Sequence, residues 1–79
     1  MPWFDLIWDD ANEAHIAEHR LTVDDVINAI NDPIDEFTSR SSGRPMIEGY
    51  ALDGRVIVVS FEYLDEITIY PITAYEVER

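Results

Sequence analysis

The chain has 79 residues, no cysteine and no lysine, and its 17 acidic residues against five arginines leave a formal net charge of -12. That length allows one domain, residues 1–79, with a single thin core, and the missing cysteine excludes disulfides and thiolate metal sites. Such acidity repels polyanions at long range and leaves few cations for the phosphate neutralisation that nucleic-acid binding needs, so it points to a basic partner or to a high-salt source. No run reaches the ~18 apolar residues of a membrane span. The apolar start "MPWFDLIWDD" carries acid where a secretory signal carries base. A cytoplasmic protein with no membrane role is the expectation.

Residues 3–8, "WFDLIW", read as a short first strand. Asp9 or Asp10 then caps a helix that runs to about Arg20, where "RLT" breaks it. Thr22, with Asp25 three residues on, starts a second helix through a capping box. Val23, Val26, Ile27 and Ile30 give residues 23–31 one apolar face, and "NDP" at 31–33 stops them. The period then changes to two. "IDEFTS" reads as a weak edge strand and "RSSGRP" at 40–45 as a loop of turn formers. Asp53-Gly54 between "MIEGYAL" and "RVIVVSF" has the composition of a two-residue hairpin turn, which pairs Leu52 with Arg55, Tyr50 with Ile57 and Glu48 with Val59. "VIVV" is apolar on both faces, which places a strand over residues 54–62 at the centre of the sheet. "YLDE" turns into "ITIYPITAYEV", where Pro71 marks an edge or a bulge. The predicted fold is α+β: a short first strand, then two helices packed on one face of an antiparallel sheet of three to four strands.

Three groups of residues invite chemistry. "HIAEH" at 15–19 fits an H-x-x-E-H pattern, and His15 and His19, four apart, share a helix face. A zinc site needs at least a third protein ligand. This helix is poor in apolar residues, so at least one histidine, His19 with or without His15, is expected to be half-buried, to help cover the core and to bond to backbone. No metal and no cofactor is expected. "RSSGRP" offers Arg40 and Arg44 as a bidentate pair for phosphate, with Ser41 and Ser42 as further donors. Its competing reading is an ordinary turn whose arginines neutralise nearby acids. Tyr50, Tyr63, Tyr70 and Tyr75 can stack on bases or donate protons from a sheet face, or can simply be aromatic strand formers.

The order of pieces resembles the BrnT-type toxins, which belong with the RelE-like ribonuclease toxins of type II toxin–antitoxin systems. The resemblance rests on Trp8, Asp9, His19, Leu21, Thr22, Asp24, Asp25, Asp32 and Pro33, then on Arg44 before the hairpin, Gly54-Arg55 in "GRVIVV" and the last-strand stretch "PITAYE". It covers roughly residues 5–77. It implies a RelE-like fold, a small antitoxin partner, and metal-independent RNA cleavage in which the RNA's 2′-hydroxyl attacks the adjacent phosphate. Arg40, Arg44 and Arg55 then stabilise the phosphorane, Tyr75 or His19 moves protons, and Ser41, Ser42 and Tyr50 hold substrate. The chain departs from the family at Glu18, where Lys is common, at Arg20, where Gly is common, and at Tyr75, where an Arg is common. With the net charge, these departures imply a weak or inactive ribonuclease, or a non-catalytic interaction module on the same fold.

Overall fold

Both helices start at side chains that close a reciprocal pair of hydrogen bonds. A computed structural model describes residues 4–77, so Trp3 and Arg79 lie outside the described residues. The elements are β1 (Asp5–Leu6), α1 (Asp10–Glu18), α2 (Val23–Asn31), β2 (Asp35–Thr38), β3 (Pro45–Tyr50), β4 (Val56–Tyr63) and β5 (Thr68–Glu76). Before α1, the Asn12 N–H donates to the Asp9 carboxylate at 2.9 Å and the Asp9 N–H donates to the Asn12 amide oxygen at 2.8 Å. Before α2, Thr22 and Asp25 do the same at 3.2 and 2.9 Å. Helix α1 ends in a Schellman turn: the Arg20 N–H reaches the Ala17 carbonyl at 3.0 Å and the Leu21 N–H reaches the Ile16 carbonyl at 3.1 Å. Arg20 holds φ +60°, the left-handed conformation that glycine favours.

The fold is α+β, but the sheet differs from the predicted one. It has five strands in the order β1-β5-β4-β3-β2 and is mixed, because β1 runs parallel to β5. The remaining pairs are antiparallel. The parallel pair escapes the sequence pattern because its strands are about sixty residues apart and only two residues of β1 take part. Central placement of the "VIVV" strand and edge placement of β2 are as expected. Pro71 sits where the β4–β5 register shifts: Ser60 faces Thr73 while Phe61 faces Pro71, leaving Ile72 as the extra residue of a bulge.

The hairpin register is one residue off the predicted one. Gly49 faces Ile57 and Ile47 faces Val59, with Glu48 opposite Val58 and Tyr50 opposite Val56. The turn is a three-residue loop in which the Gly54 N–H reaches the Ala51 carbonyl at 3.0 Å and Gly54 alone takes a positive φ, +91°. A two-residue turn of the Asp-Gly kind needs positive φ at both residues. The predicted register would also have put Glu48 on the face of Ile57 and Val59, inside the core. A slip by one residue exchanges the faces of a whole strand. Ile47, Ala51, Ile57, Val59, Phe61, Ile69 and Ala74 therefore meet Ile16 of α1 and Val26, Ala29 and Ile30 of α2 in one core.

Two buried polar side chains tie the layers together. Asn12, 1% exposed, donates its amide to the Ile7 carbonyl at 2.9 Å and to the Pro71 carbonyl at 3.0 Å. It joins the exit of β1, the start of α1 and the bulge of β5. His15 and His19 are exposed rather than half-buried, although a His15 ring nitrogen does bond the Ile72 carbonyl at 3.2 Å. Asp25 accepts the Leu52 N–H at 2.9 Å, tying the start of α2 to the hairpin loop. Burial pushes the Asp25 carboxyl up, but the Leu52 and Thr22 N–H groups, the Thr22 hydroxyl and the charge of Arg55 together hold it below the ordinary value of 3.8.

A lowered carboxylate contributes stability at pH values above its unfolded-state pKa and loses it as the pH falls through the folded value. Asp25→Asn should therefore lower stability at neutral pH by about 1–3 kcal/mol and flatten the acid limb of the stability curve below about pH 4, as followed by urea unfolding across pH. A Cβ on Gly49 would stand 2.6 Å from the Ala29 carbonyl oxygen and 2.8 Å from the Ala29 Cα, both backbone atoms. Gly49→Ala should cost about 2–3 kcal/mol, seen as a lower denaturant midpoint with an unchanged slope.

Candidate functional site

Strand alternation sends Met46, Glu48, Tyr50, Val56, Val58, Ser60, Tyr75 and their neighbours to the sheet face opposite the helices. Met46 and Val58 are 8% and 4% exposed yet stand apart from the helix-side core. They form the floor of this face. Phe37 is the register partner of Met46, and Tyr75 that of Val58. Phe37, Tyr50 and Tyr75 remain 41%, 47% and 38% exposed and stand as its walls. Asp35 and Glu48 face each other on that side by register, and Glu62, two residues beyond Ser60 on β4, is joined to Arg44 at 3.4 Å.

The predicted catalytic residues divide between the two ends of β3. Arg40, Ser41, Ser42 and Arg44 belong to the β2–β3 turn, and Arg55 to the far hairpin, one strand length or roughly 20 Å away. Arg55 is held by the Asp53 carboxylate at 2.7 Å, the Arg20 carbonyl at 3.0 Å and Glu76 at 3.9 Å. His19 and Tyr75 do approach each other at that end, their ring centres 6.3 Å apart. The structure thus brings His19, Tyr75 and Arg55 to one end and leaves Arg40 and Arg44 at the other. Tyr50 stands on the open face at the Arg55 end, and the carbonyl of its own backbone accepts the Asn28 amide at 2.9 Å.

The "RSSGRP" turn uses its donors on itself. The Gly43 N–H reaches the Ser39 carbonyl at 2.9 Å, the Ser42 N–H reaches the Ser39 hydroxyl at 3.4 Å, and the Arg44 N–H reaches the Ser42 hydroxyl at 3.3 Å. The Ser41 hydroxyl meets that of Ser39 at 3.2 Å. A phosphate-binding nest needs successive N–H groups free to converge on an anion, and here they close the turn. The carboxylates of the face and the ion pair on Arg44 add to the same picture. Arg40 has no ion-pair partner among the described residues. A groove of about 260 Å³ beside Thr38, Ile47, Phe61 and Tyr63, and another of about 230 Å³ between β1 and α2, contain none of the predicted site residues. Among the described residues no group of three or more His, Asp and Glu is placed to hold a metal, and no helix is long and apolar enough to cross a membrane.

Sequence reading missed Asn12 and the floor of the open face. Asn12 follows Asp9 by three residues, the spacing of a capping box, and that signal was present. The face depends on the hairpin register, which the wrong turn type hid. Comparison with protein-family models, with curated proteins and with solved structures returns no match to this chain.

Arg20 supplies a direct check of the local geometry. The left-handed conformation costs a non-glycine residue about 1 kcal/mol or more, partly offset by the extra freedom glycine has when unfolded. Arg20→Gly should leave the Arg55 hydrogen bond to the residue 20 carbonyl in place and raise stability by about 0.5–1 kcal/mol. A loss in chemical denaturation would mean that the Arg20 side chain contributes more than its backbone strain removes.

Proposed function

We propose that this chain is a non-catalytic interaction module that acts by binding another protein through its open sheet face. The observation that carries this reading is the exposure of three large aromatic side chains, Phe37, Tyr50 and Tyr75, on one sheet face. Large apolar side chains gathered on one uncovered face favour burial by a partner. The resemblance to BrnT-type toxins adds a class of partner, a small antitoxin, and Arg20 in a backbone position suited to glycine is in keeping with the family's glycine there. Cytoplasmic placement belongs to the same proposal.

The toxin reading in its catalytic form draws its support from Arg40 and Arg44, which flank one turn, and from the weakness expected of the exposed Arg44–Glu62 pair. Against it, the phosphorane would have to be met without Arg55, which three partners hold on the other side of the molecule. Purified protein incubated with RNA decides between them. No cleavage above buffer, and no growth defect on induced expression, is the expected result. Cleavage that falls about a hundredfold or more in a folded Arg44→Ala variant, the loss typical of one donor to a developing oxyanion, would establish a nuclease and end the binding-module reading.

A further inference from the structure

We propose that Asp53-Gly54 is a site of spontaneous covalent modification, isomerisation through a succinimide, and that the Arg55 side chain guards it. The chain contains one Asp-Gly pair. An aspartate before glycine is open to this chemistry because no Cβ on the glycine hinders approach to its nitrogen. The Gly54 nitrogen loses its proton and attacks the Asp53 side-chain carboxyl carbon. A C–N bond forms, a carboxyl oxygen leaves as water, and an imide ring closes. Water then opens the ring. Attack at the original backbone carbonyl leaves isoaspartate, whose chain runs through the side-chain carbons with one extra methylene and a carboxylate on the α-carbon. Water is the co-reactant, and no atom is oxidised or reduced. The Asp53 side chain is 57% exposed, so solvent reaches it.

The loop opposes each step. Attack needs the Gly54 nitrogen free, and its N–H is spent on the Ala51 carbonyl at 3.0 Å. Attack also needs the carboxyl group to turn toward Gly54 and release an oxygen. Both oxygens are instead held by the Arg55 Nε–H, at 2.9 and 2.7 Å, and one of them also accepts the Arg55 backbone N–H at 3.2 Å. These bonds draw the carboxylate forward onto residue 55. An exposed ion pair by itself holds a side chain weakly, but this clamp is anchored. A second nitrogen of the same guanidinium donates to the Arg20 carbonyl at 3.0 Å, and Glu76 stands 3.9 Å from the third. The guard is thus tied to the turn after α1 and to the end of β5. The extra methylene of isoaspartate would part Gly54 from Ala51. The loop would then lose the closure that presents the Leu52 N–H to Asp25 at 2.9 Å.

The test is ageing of the purified full chain in mildly acidic heavy-oxygen water at body temperature. Peptide mapping then reads the heavy oxygen at residue 53, one atom gained for each passage through the imide. Wild-type protein should gain it slowly while folded and faster when unfolded in urea. Folded Arg55→Ala should gain it about fivefold faster than folded wild type, the rate equivalent of a well-made exposed ion pair. Arg55→Gln keeps most of the aliphatic stem, loses the charge and should behave as Arg55→Ala does. Gly49→Ala weakens the fold at Ala29, away from the loop, and should match wild type under conditions where it stays folded. Heavy oxygen that never accumulates at residue 53, even in urea, would remove the modification site. Folded wild type that gains it as fast as the unfolded chain, or folded Arg55 variants no faster than wild type, would overturn the guard. An equal acceleration in Gly49→Ala would reduce Arg55 to a contributor to stability and overturn it as well.

Discussion

The contact of Gly49 with Ala29 determines which way every side chain of the sheet's centre faces. Only a residue without Cβ lets α2 lie this close to β3, and the contact holds the odd-numbered residues of β3 against the helices. Because β3 and β4 pair directly, Ile57 and Val59 follow to the same side, and Met46, Glu48, Tyr50, Val56 and Val58 go to the other. The acidic residue Glu48 is thereby kept out of the core and the apolar floor of the open face is made by the same choice. Shifting the register by one would bury a carboxylate and expose Val59, which is why one geometry prevails.

Around that contact the layers are tied by polar groups in places where apolar area is scarce. Helix α1 buries only Asn12 and Ile16, so its docking relies on an amide whose donors and acceptor are all engaged. Its partners are the exit of β1, the cap of its own helix and the bulge at Pro71. The bulge serves this junction: Pro71 has no N–H to leave unpaired, and its carbonyl is free to accept Asn12. Asp25 does the corresponding work for α2, linking its first turn to the hairpin loop. A small domain with a thin core depends on such fully satisfied polar groups, since each would cost stability if left unpaired.

The same architecture explains why the arginines do not make one anion site. β3 separates the two turns that carry them, and at each end a local carboxylate is nearer than any arginine from the other end: Glu62 for Arg44, Asp53 and Glu76 for Arg55. In a chain with more than three acids for each arginine, pairing of this kind is the expected fate of a guanidinium. What the fold leaves exposed on the open face is aromatic area, at Phe37, Tyr50 and Tyr75.

The sequence by itself determined both helices, their caps at Asp9 and Thr22, the central position of "VIVV" and the edge position of β2. These follow from local periodicity and from side chains that bond within three residues of themselves. The irregularity at Pro71 was legible for the same reason, as a missing N–H cannot be repaired by context. Tertiary structure alone decided the parallel pairing of β1 with β5, the register of the hairpin and the exposed positions of His15 and His19. It also placed His19 beside Tyr75 while holding Arg44 a strand length from Arg55. Each of these depends on contacts between distant residues, and such contacts leave no periodic mark in the sequence. The Asp-Gly turn shows the limit clearly: its composition suits two loop lengths, and the burial of Ile57 and Val59 against the helices, with Gly49 beneath Ala29, selects the longer one.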